Sequence, residues 1–319
     1  MLLRHTFTAL LALSATMLNS CAGSPVAQGS ANNATSYAGA VQPAFYQASQ
    51  PAAAAQPAFL KPSFNAPAKF ATSAAPSIRA ASYILIDVAS ATPLIASNAD
   101  ALRGVASTQK IMTALVVLDA GNLDKIVTIA ASDSNVEPTR LGVRAGQTYT
   151  RRALLYAFLI KSANDVARVL ARDNAGSIEA FAAKMNAKAR SLGMSSSYFV
   201  NPHGLTEGGQ HSTARDMSRA ALAAFASPII RDAVRQKYHT FRFSNGRKIT
   251  LTNTNELLGR MPECNGMKTG YTVAAGRCLL STATKNGRSV VLVQLGTKTK
   301  YIWEDGAKLM SWGLARAGR

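Results

Sequence analysis

Acidic residues are scarce in this chain. Its 319 residues carry 16 Asp and Glu against 35 Lys and Arg, a formal charge of +19 at pH 7, and no acidic residue precedes Asp87. An excess of that size points to anionic partners: nucleic acid, anionic lipid or an acidic polymer. The basic residues are scattered (Arg140, Arg144, Arg151, Arg152, Arg168, Arg172, Lys184, Lys188, Arg190) rather than clustered among aromatics, which argues against nucleic acid. Histidine is nearly as sparse, at four residues. His203 and His211, with Asp216, are the conceivable metal ligands, and no tight pair exists among them; both histidines are therefore expected to be structural, with no metal and no cofactor. Of the three cysteines, Cys264 and Cys278 could bridge in an oxidising compartment or remain buried free thiols. Neither has a base beside it that would make it a nucleophile. The apolar run from about Phe7 to Leu18 is too short to span a bilayer, but after Arg4 it suits a secretory leader.

That leader, residues 1–21, predicts export to the bacterial periplasm or cell envelope. Leu18-Asn19-Ser20-Cys21-Ala22 resembles a lipoprotein cleavage box, in which Cys21 becomes a lipidated first residue and anchors the protein to a membrane; ordinary signal cleavage with no anchor is the alternative. Residues 22–80 are dominated by Ala, Pro, Gln, Ser and Asn, with the near-repeats Gln42-Pro-Ala-Phe45 and Gln56-Pro-Ala-Phe59. Such a stretch cannot bury enough apolar surface to offset its ordering entropy and is expected to be a disordered tether.

Residues 81–319 carry the pattern of a folded domain. Two β-rich runs, 83–88 and 92–96, precede a helix from Ser107 to about Leu118. Helices at 151–160, 164–174, 177–192 and 213–226 form a cluster, the last with Thr213 as a cap. Strands follow at 238–243, 247–252, 267–272, 278–285 and 288–296, the last two joined by the hairpin turn Asn286-Gly287. A helix of about 301–316 closes the chain. Strands, then helices, then an antiparallel meander predict an α+β domain in which the first strands and the last helix join the same sheet.

Three short strings fall in a fixed order within this domain: Ser107-Thr-Gln-Lys110, Ser162-Ala-Asn164 and Lys268-Thr-Gly270. A helical spacing of three puts Ser107 and Lys110 on one face. At the helix start, Ser107 is either a plain N-cap or a nucleophile favoured by unpaired backbone N–H groups. A serine hydroxyl needs a base, and Lys110 serves only when neutral. At pH 7 roughly one lysine in 2,500 is neutral at the reference pKa. Burial and a second cation would lower that pKa, and Lys268 is the candidate cation. Ser162 and Asn164 fall between two helices, where such residues either cap or face a cleft. Gly270 in a strand lets backbone approach a ligand closely. S-x-x-K, S-D-N and K-T-G together are a signature of serine acyl-transfer enzymes that react with penicillin.

The chain resembles the low-molecular-mass penicillin-binding proteins that are serine D-alanyl-D-alanine carboxypeptidases of the peptidase S11 family. The likeness runs through Ala106-Ser-Thr-Gln-Lys-Ile-Met-Thr-Ala-Leu115, Leu159-Ile-Lys-Ser-Ala-Asn-Asp165, Phe199-Val-Asn-Pro-His-Gly-Leu205, His211-Ser-Thr-Ala-Arg-Asp-Met217 and Gly266-Met-Lys-Thr-Gly-Tyr-Thr272. It implies the serine β-lactamase and penicillin-binding-protein fold, a peptidoglycan pentapeptide ending in D-Ala-D-Ala as substrate, and β-lactams as covalent inhibitors. Ser107 would attack the penultimate D-Ala carbonyl with Lys110 as base. Ser162 and Asn164 would relay protons and hold the substrate amide, Lys268 and Thr269 would engage the terminal carboxylate, and the N–H groups of Ser107 and Tyr271 would form the oxyanion hole. Two departures stand out. Some relatives place a carboxylate-binding Arg in the segment corresponding to 253–258, where Thr254 stands here. Many relatives continue into a β domain and an amphipathic membrane helix, whereas this sequence stops at Arg319; a lipid on Cys21 would replace that anchor. A class A β-lactamase shares the three strings, but its Glu-x-x-Leu-Asn pattern is absent between Asn164 and Lys268. A DD-endopeptidase or transpeptidase would use the same residues, and a catalytically silent wall-binding lipoprotein would keep only the fold.

Overall fold

Continuous burial along the central strands sets the architecture. A computed structural model describes residues 74–318. The leader, Cys21 and the tether up to residue 73 lie outside the described residues. At the other end of that tether expectation, the backbone N–H of Arg79 donates to Asp305 Oδ2 at 2.9 Å and Ile78 packs beside the closing helix, so residues 78–80 are attached to the domain and are not tether.

The elements run as β1 (Ser82–Asp87), β2 (Thr92–Ser97), a 3-10 turn (Ala106–Gln109) continuing into α1 (Lys110–Asp119), β3 (Ile126–Thr128), a second 3-10 turn (Ala131–Ser134) and β4 (Thr148–Thr150). Next come α2 (Arg151–Lys161), α3 (Asn164–Ala175), α4 (Ile178–Ser191), α5 (Ala214–Ala226) and α6 (Pro228–Val234). The chain closes with β5 (Tyr238–Arg242), β6 (Lys248–Thr252), α7 (Leu257–Arg260), β7 (Cys264–Thr272), β8 (Gly276–Lys285), β9 (Arg288–Thr297) and α8 (Ile302–Leu314). The main sheet is antiparallel, in the order β2-β1-β9-β8-β7, so the first strands do join the last. The hairpin β5–β6 forms a sheet of its own and is not part of that meander.

Both faces of the sheet are covered, and alternate residues divide between them. Ile84, Ile86, Leu280, Val291 and Val293 join the helical cluster, while Leu85, Leu279, Val290 and Leu292 pack with Leu309 and Met310 of α8. This is why residues 290–293 of β9 read as an unbroken apolar run. Helix α1 is buried on every side from Lys110 to Val117, as expected of a helix with an apolar surface all round. The Asn286-Gly287 turn has positive φ at both residues, matching the twist of a two-residue hairpin.

Register also decides the cysteines. Cys264 pairs with Ala283 and Cys278 with Gly270, six positions further along β7, and both are free and buried. At about 3.4 Å per residue they lie far beyond the 4.4–6.8 Å usual between bridged Cα atoms. The bridge considered from sequence is therefore corrected to two separate thiols. Burial raises both pKa values, that of Cys278 to about 11. The native protein should react with a thiol probe only after unfolding, and a reductant should leave the unfolding midpoint unchanged; prompt labelling of native protein would contradict this placement.

Candidate active site

Ser107 does not cap a helix. It is the second residue of the 3-10 turn leading into α1, which shows no side-chain cap bond, and this tighter winding brings residues three apart into line. Lys110, at the first position of α1, reaches back so that its Nζ lies 2.8 Å from Ser107 Oγ. The same Nζ donates to Asn164 Oδ1 at 2.7 Å and to the His203 carbonyl at 2.5 Å. Lys110 is fully buried. Burial is the first cause pulling its pKa well below the ordinary lysine range; the Lys268 ammonium adds to it and the Asp165 carboxylate opposes it.

Asn164 is brought there by the break between α2 and α3. Ser162 closes α2 in the left-handed region at φ 65°, unusual for a residue with a Cβ and costing about 1–3 kcal/mol. That turn leaves Ser162 on the cleft wall and Asn164 inside it, with Asn164 Nδ2 donating to the carbonyls of Glu137 and Pro138 at 3.0 Å each. Asp165 accepts from the backbone of Leu141 and Gly142 at 2.9 and 2.8 Å, so the loop forming this rim is pinned by the residues that follow Ser162.

The opposite wall is β7, an edge strand. Lys268 stands opposite Leu280 on the helical face; it is fully buried, its Nζ donates to the Thr269 carbonyl at 3.0 Å, and burial lowers its pKa to about 7. Thr269 and Tyr271 are opposite Leu279 and Arg277 on the α8 face, and the Thr269 hydroxyl donates to Thr254 Oγ1 at 2.6 Å. Gly270 passes directly over the 3-10 turn: a Cβ there would lie 2.7 Å from Ser107 N and 3.0 Å from Thr108 N. Gly270→Ala is expected to push the turn away, slowing acylation by penicillin at least a hundredfold and costing about 1–3 kcal/mol of stability as an overpacked contact. Stopped-flow acylation and thermal unfolding check both numbers.

A cleft of about 650 Å³ collects these groups; Ser107, Ser162, Asn164, Thr269, Gly270 and Tyr271 all line it. Lys110 and Lys268 are fully buried and do not line it. The structure thus brings together Ser107, Lys110, Ser162, Asn164, Lys268, Thr269 and Gly270 of the three strings, whereas Gln109 is turned to Asn201. Sequence reasoning missed the His203 carbonyl, Asp165, and Arg277, which also lines the cleft. The His203 imidazole is buried, and desolvation followed by repulsion from Lys110 and Arg168 lowers its pKa to about 3. Its ring Nδ1 accepts from the Leu205 backbone N–H at 3.3 Å, while its carbonyl serves the site. Among the described residues no group of His, Cys, Asp and Glu could hold a metal ion.

A family model for D-alanyl-D-alanine carboxypeptidases, peptidase S11, matches residues 69–299. The chain belongs to the peptidase S11 family. It is 35% identical over 246 residues to the D-alanyl-D-alanine carboxypeptidase DacB2 of Mycobacterium tuberculosis, covering 75% of this chain and 84% of that relative. It is 33% identical over 246 residues to a D-alanyl-D-alanine endopeptidase of Escherichia coli, covering 76% and 79%. Among solved structures, a D-alanyl-D-alanine carboxypeptidase from M. tuberculosis superposes with a TM-score of 0.74 at 34% identity, covering 79% of this chain and 97% of that one. The Streptomyces K15 DD-transpeptidase gives 0.73 at 31%, covering 76% and 100%. The S11 fold accounts for the expected α+β architecture, in which the sheet carries α8 on one face and the helical cluster on the other.

Proposed function

We propose that this protein is a serine D-Ala-D-Ala carboxypeptidase in which Ser107 forms the acyl-enzyme and Lys110 is its base. The observation that carries the reading is a fully buried Lys110 Nζ set 2.8 Å from Ser107 Oγ. A neutral amine has two N–H bonds and one lone pair. Two acceptors that cannot donate, Asn164 Oδ1 and the His203 carbonyl, take up the two N–H bonds. The lone pair is left facing the Ser107 hydroxyl, which is what a general base requires.

Ser107 Oγ then attacks the carbonyl of the penultimate D-Ala, and its proton passes to Lys110. Negative charge developing on the carbonyl oxygen is met by the N–H groups of Ser107 and Tyr271, at the place where Gly270 allows strand and turn to approach. The C–N bond breaks, the terminal D-Ala amine takes up the proton, and the half-buried Ser162 hydroxyl, unpartnered among the described residues, lies on the cleft wall to relay it. Water attacks the resulting ester and Lys110 again accepts the proton, returning free Ser107. A β-lactam follows the same first step, but its leaving group stays attached. Lys268 contributes its buried positive charge, Thr269 its hydroxyl to the substrate carboxylate.

Mass spectrometry of muropeptides incubated with the protein tests the reaction: loss of one terminal D-Ala is expected, and cleavage of cross-links alone would reassign it as an endopeptidase. The charge excess suits the acidic wall polymer that carries the stem peptides. We place the protein in the cell envelope, held by a lipid on Cys21; partitioning into the detergent phase should be lost in Cys21→Ala.

A further inference from the structure

One cation of the cleft has no part in the chemistry above. Arg277 on β8 stands opposite Tyr271, diagonal to Thr269. Diagonal neighbours are roughly 7–8 Å apart, within reach of a long side chain. Its guanidinium lies over the Tyr271 ring, 4.6 Å from the centroid, and Nε donates to Thr299 Oγ1 at 3.1 Å. These contacts hold the planar group, while its two Nη nitrogens have no partner among the described residues.

The other charged groups nearby are engaged. Glu256 on the same wall is ion-paired with Arg260, and the buried Lys268 amine is turned to the Thr269 carbonyl. Thr254 offers only an uncharged hydroxyl, which accepts from that of Thr269. Among the described residues lining the cleft, Arg277 is therefore the one cation, half-buried and with free donors, beside the Thr269 hydroxyl.

We propose that Arg277 recognises the free C-terminal carboxylate of the substrate, drawing it against the Thr269 hydroxyl, and so makes the enzyme prefer a chain end to an internal D-Ala bond. A guanidinium offers a carboxylate parallel N–H donors, and charge-assisted bonds of this kind are about twice as strong as neutral ones. An internal bond presents an uncharged amide, which leaves the guanidinium without its counter-charge. Arg277 is then a specificity residue of the carboxypeptidase proposed above, and the inference rests on that reading.

Two thioesters of one acyl-D-alanine separate the terms, one releasing mercaptoacetate and the other its neutral isostere mercaptoacetamide. Wild-type protein should prefer the charged leaving group in kcat/KM. In Arg277→Gln that preference should fall at least tenfold, mainly through KM, and Arg277→Lys should restore part of it. An unchanged preference in Arg277→Gln, or equal loss on both thioesters, overturns the proposal. Wild-type protein that acylates with neither thioester overturns the carboxypeptidase reading itself, a failure set apart because it appears without any substitution.

Discussion

Lys110→Ala is expected to slow acylation of Ser107 by fluorescent penicillin at least a thousandfold while the protein still unfolds cooperatively. General-base assistance contributes about 10²–10⁴ in rate, and among the described residues no second base stands beside Ser107 Oγ: the alternative acceptor for its one proton is the His203 carbonyl, 3.2 Å away, which cannot take up a proton at neutral pH. The space left by the lysine is lined by Asn164 Oδ1 and the His203 carbonyl, polar enough to be filled by water, so the fold should survive. Acylation within tenfold of wild type would remove Lys110 from its role. In wild-type protein the acid limb of the acylation profile should follow the neutral fraction of Lys110, rising with pH and reaching its plateau well below 10.5 because burial and Lys268 depress that pKa.

Lys268→Met should abolish efficient turnover yet make the protein more stable. Its pKa falls from 10.5 to about 7 on burial, so between those values the unfolded chain holds more protons than the folded one. Stability from this group therefore rises with pH from about 7 to 10.5, and the full penalty is present below about 7. At about 1.4 kcal/mol per pKa step of one, the penalty is on the order of 5 kcal/mol. Methionine fills similar volume without charge, so part of that sum should be recovered, a rise of roughly 5–10 °C in Tm at pH 6 at about 2–4 °C per kcal/mol. The gain should shrink toward pH 10. Removing the cation also relieves the repulsion on Lys110, so any residual acylation should show its acid limb at higher pH. A Tm that falls, or a difference indifferent to pH, would show that Lys268 is not held at the expense of stability.

The large elements were legible because their apolar runs are long and bounded by turn signals. The runs at 278–285 and 288–296 fall within β8 and β9, and Thr213 caps α5 through a bond from Asp216 N, as expected. Elements of three or four residues left no such trace: β3 and β4 have three residues each and bury only Val127 and Tyr149 deeply, and α7 spans four. The strand at 267–272 extends back to Cys264 through a register shift at Gly266, where φ is +114° and a Cβ would meet Val234 O at 2.5 Å. In the site, the three strings named the side chains but not their arrangement. Ser107 resembled a cap because serine favours both settings, and Arg277 was hidden because its place beside Thr269 depends on strand register. The His203 carbonyl was invisible because a peptide oxygen is common to all residues.

That oxygen has an evolutionary consequence. Gly204, at φ +85° with room for no Cβ beside Ala106 O, and Asn201, whose Oδ1 accepts from Gly204 N at 2.8 Å, fix the bend that presents it. Drift at position 203 therefore spares the amine's third ligand, and the genetic vulnerability of the centre falls on two flanking residues that never meet the antibiotic.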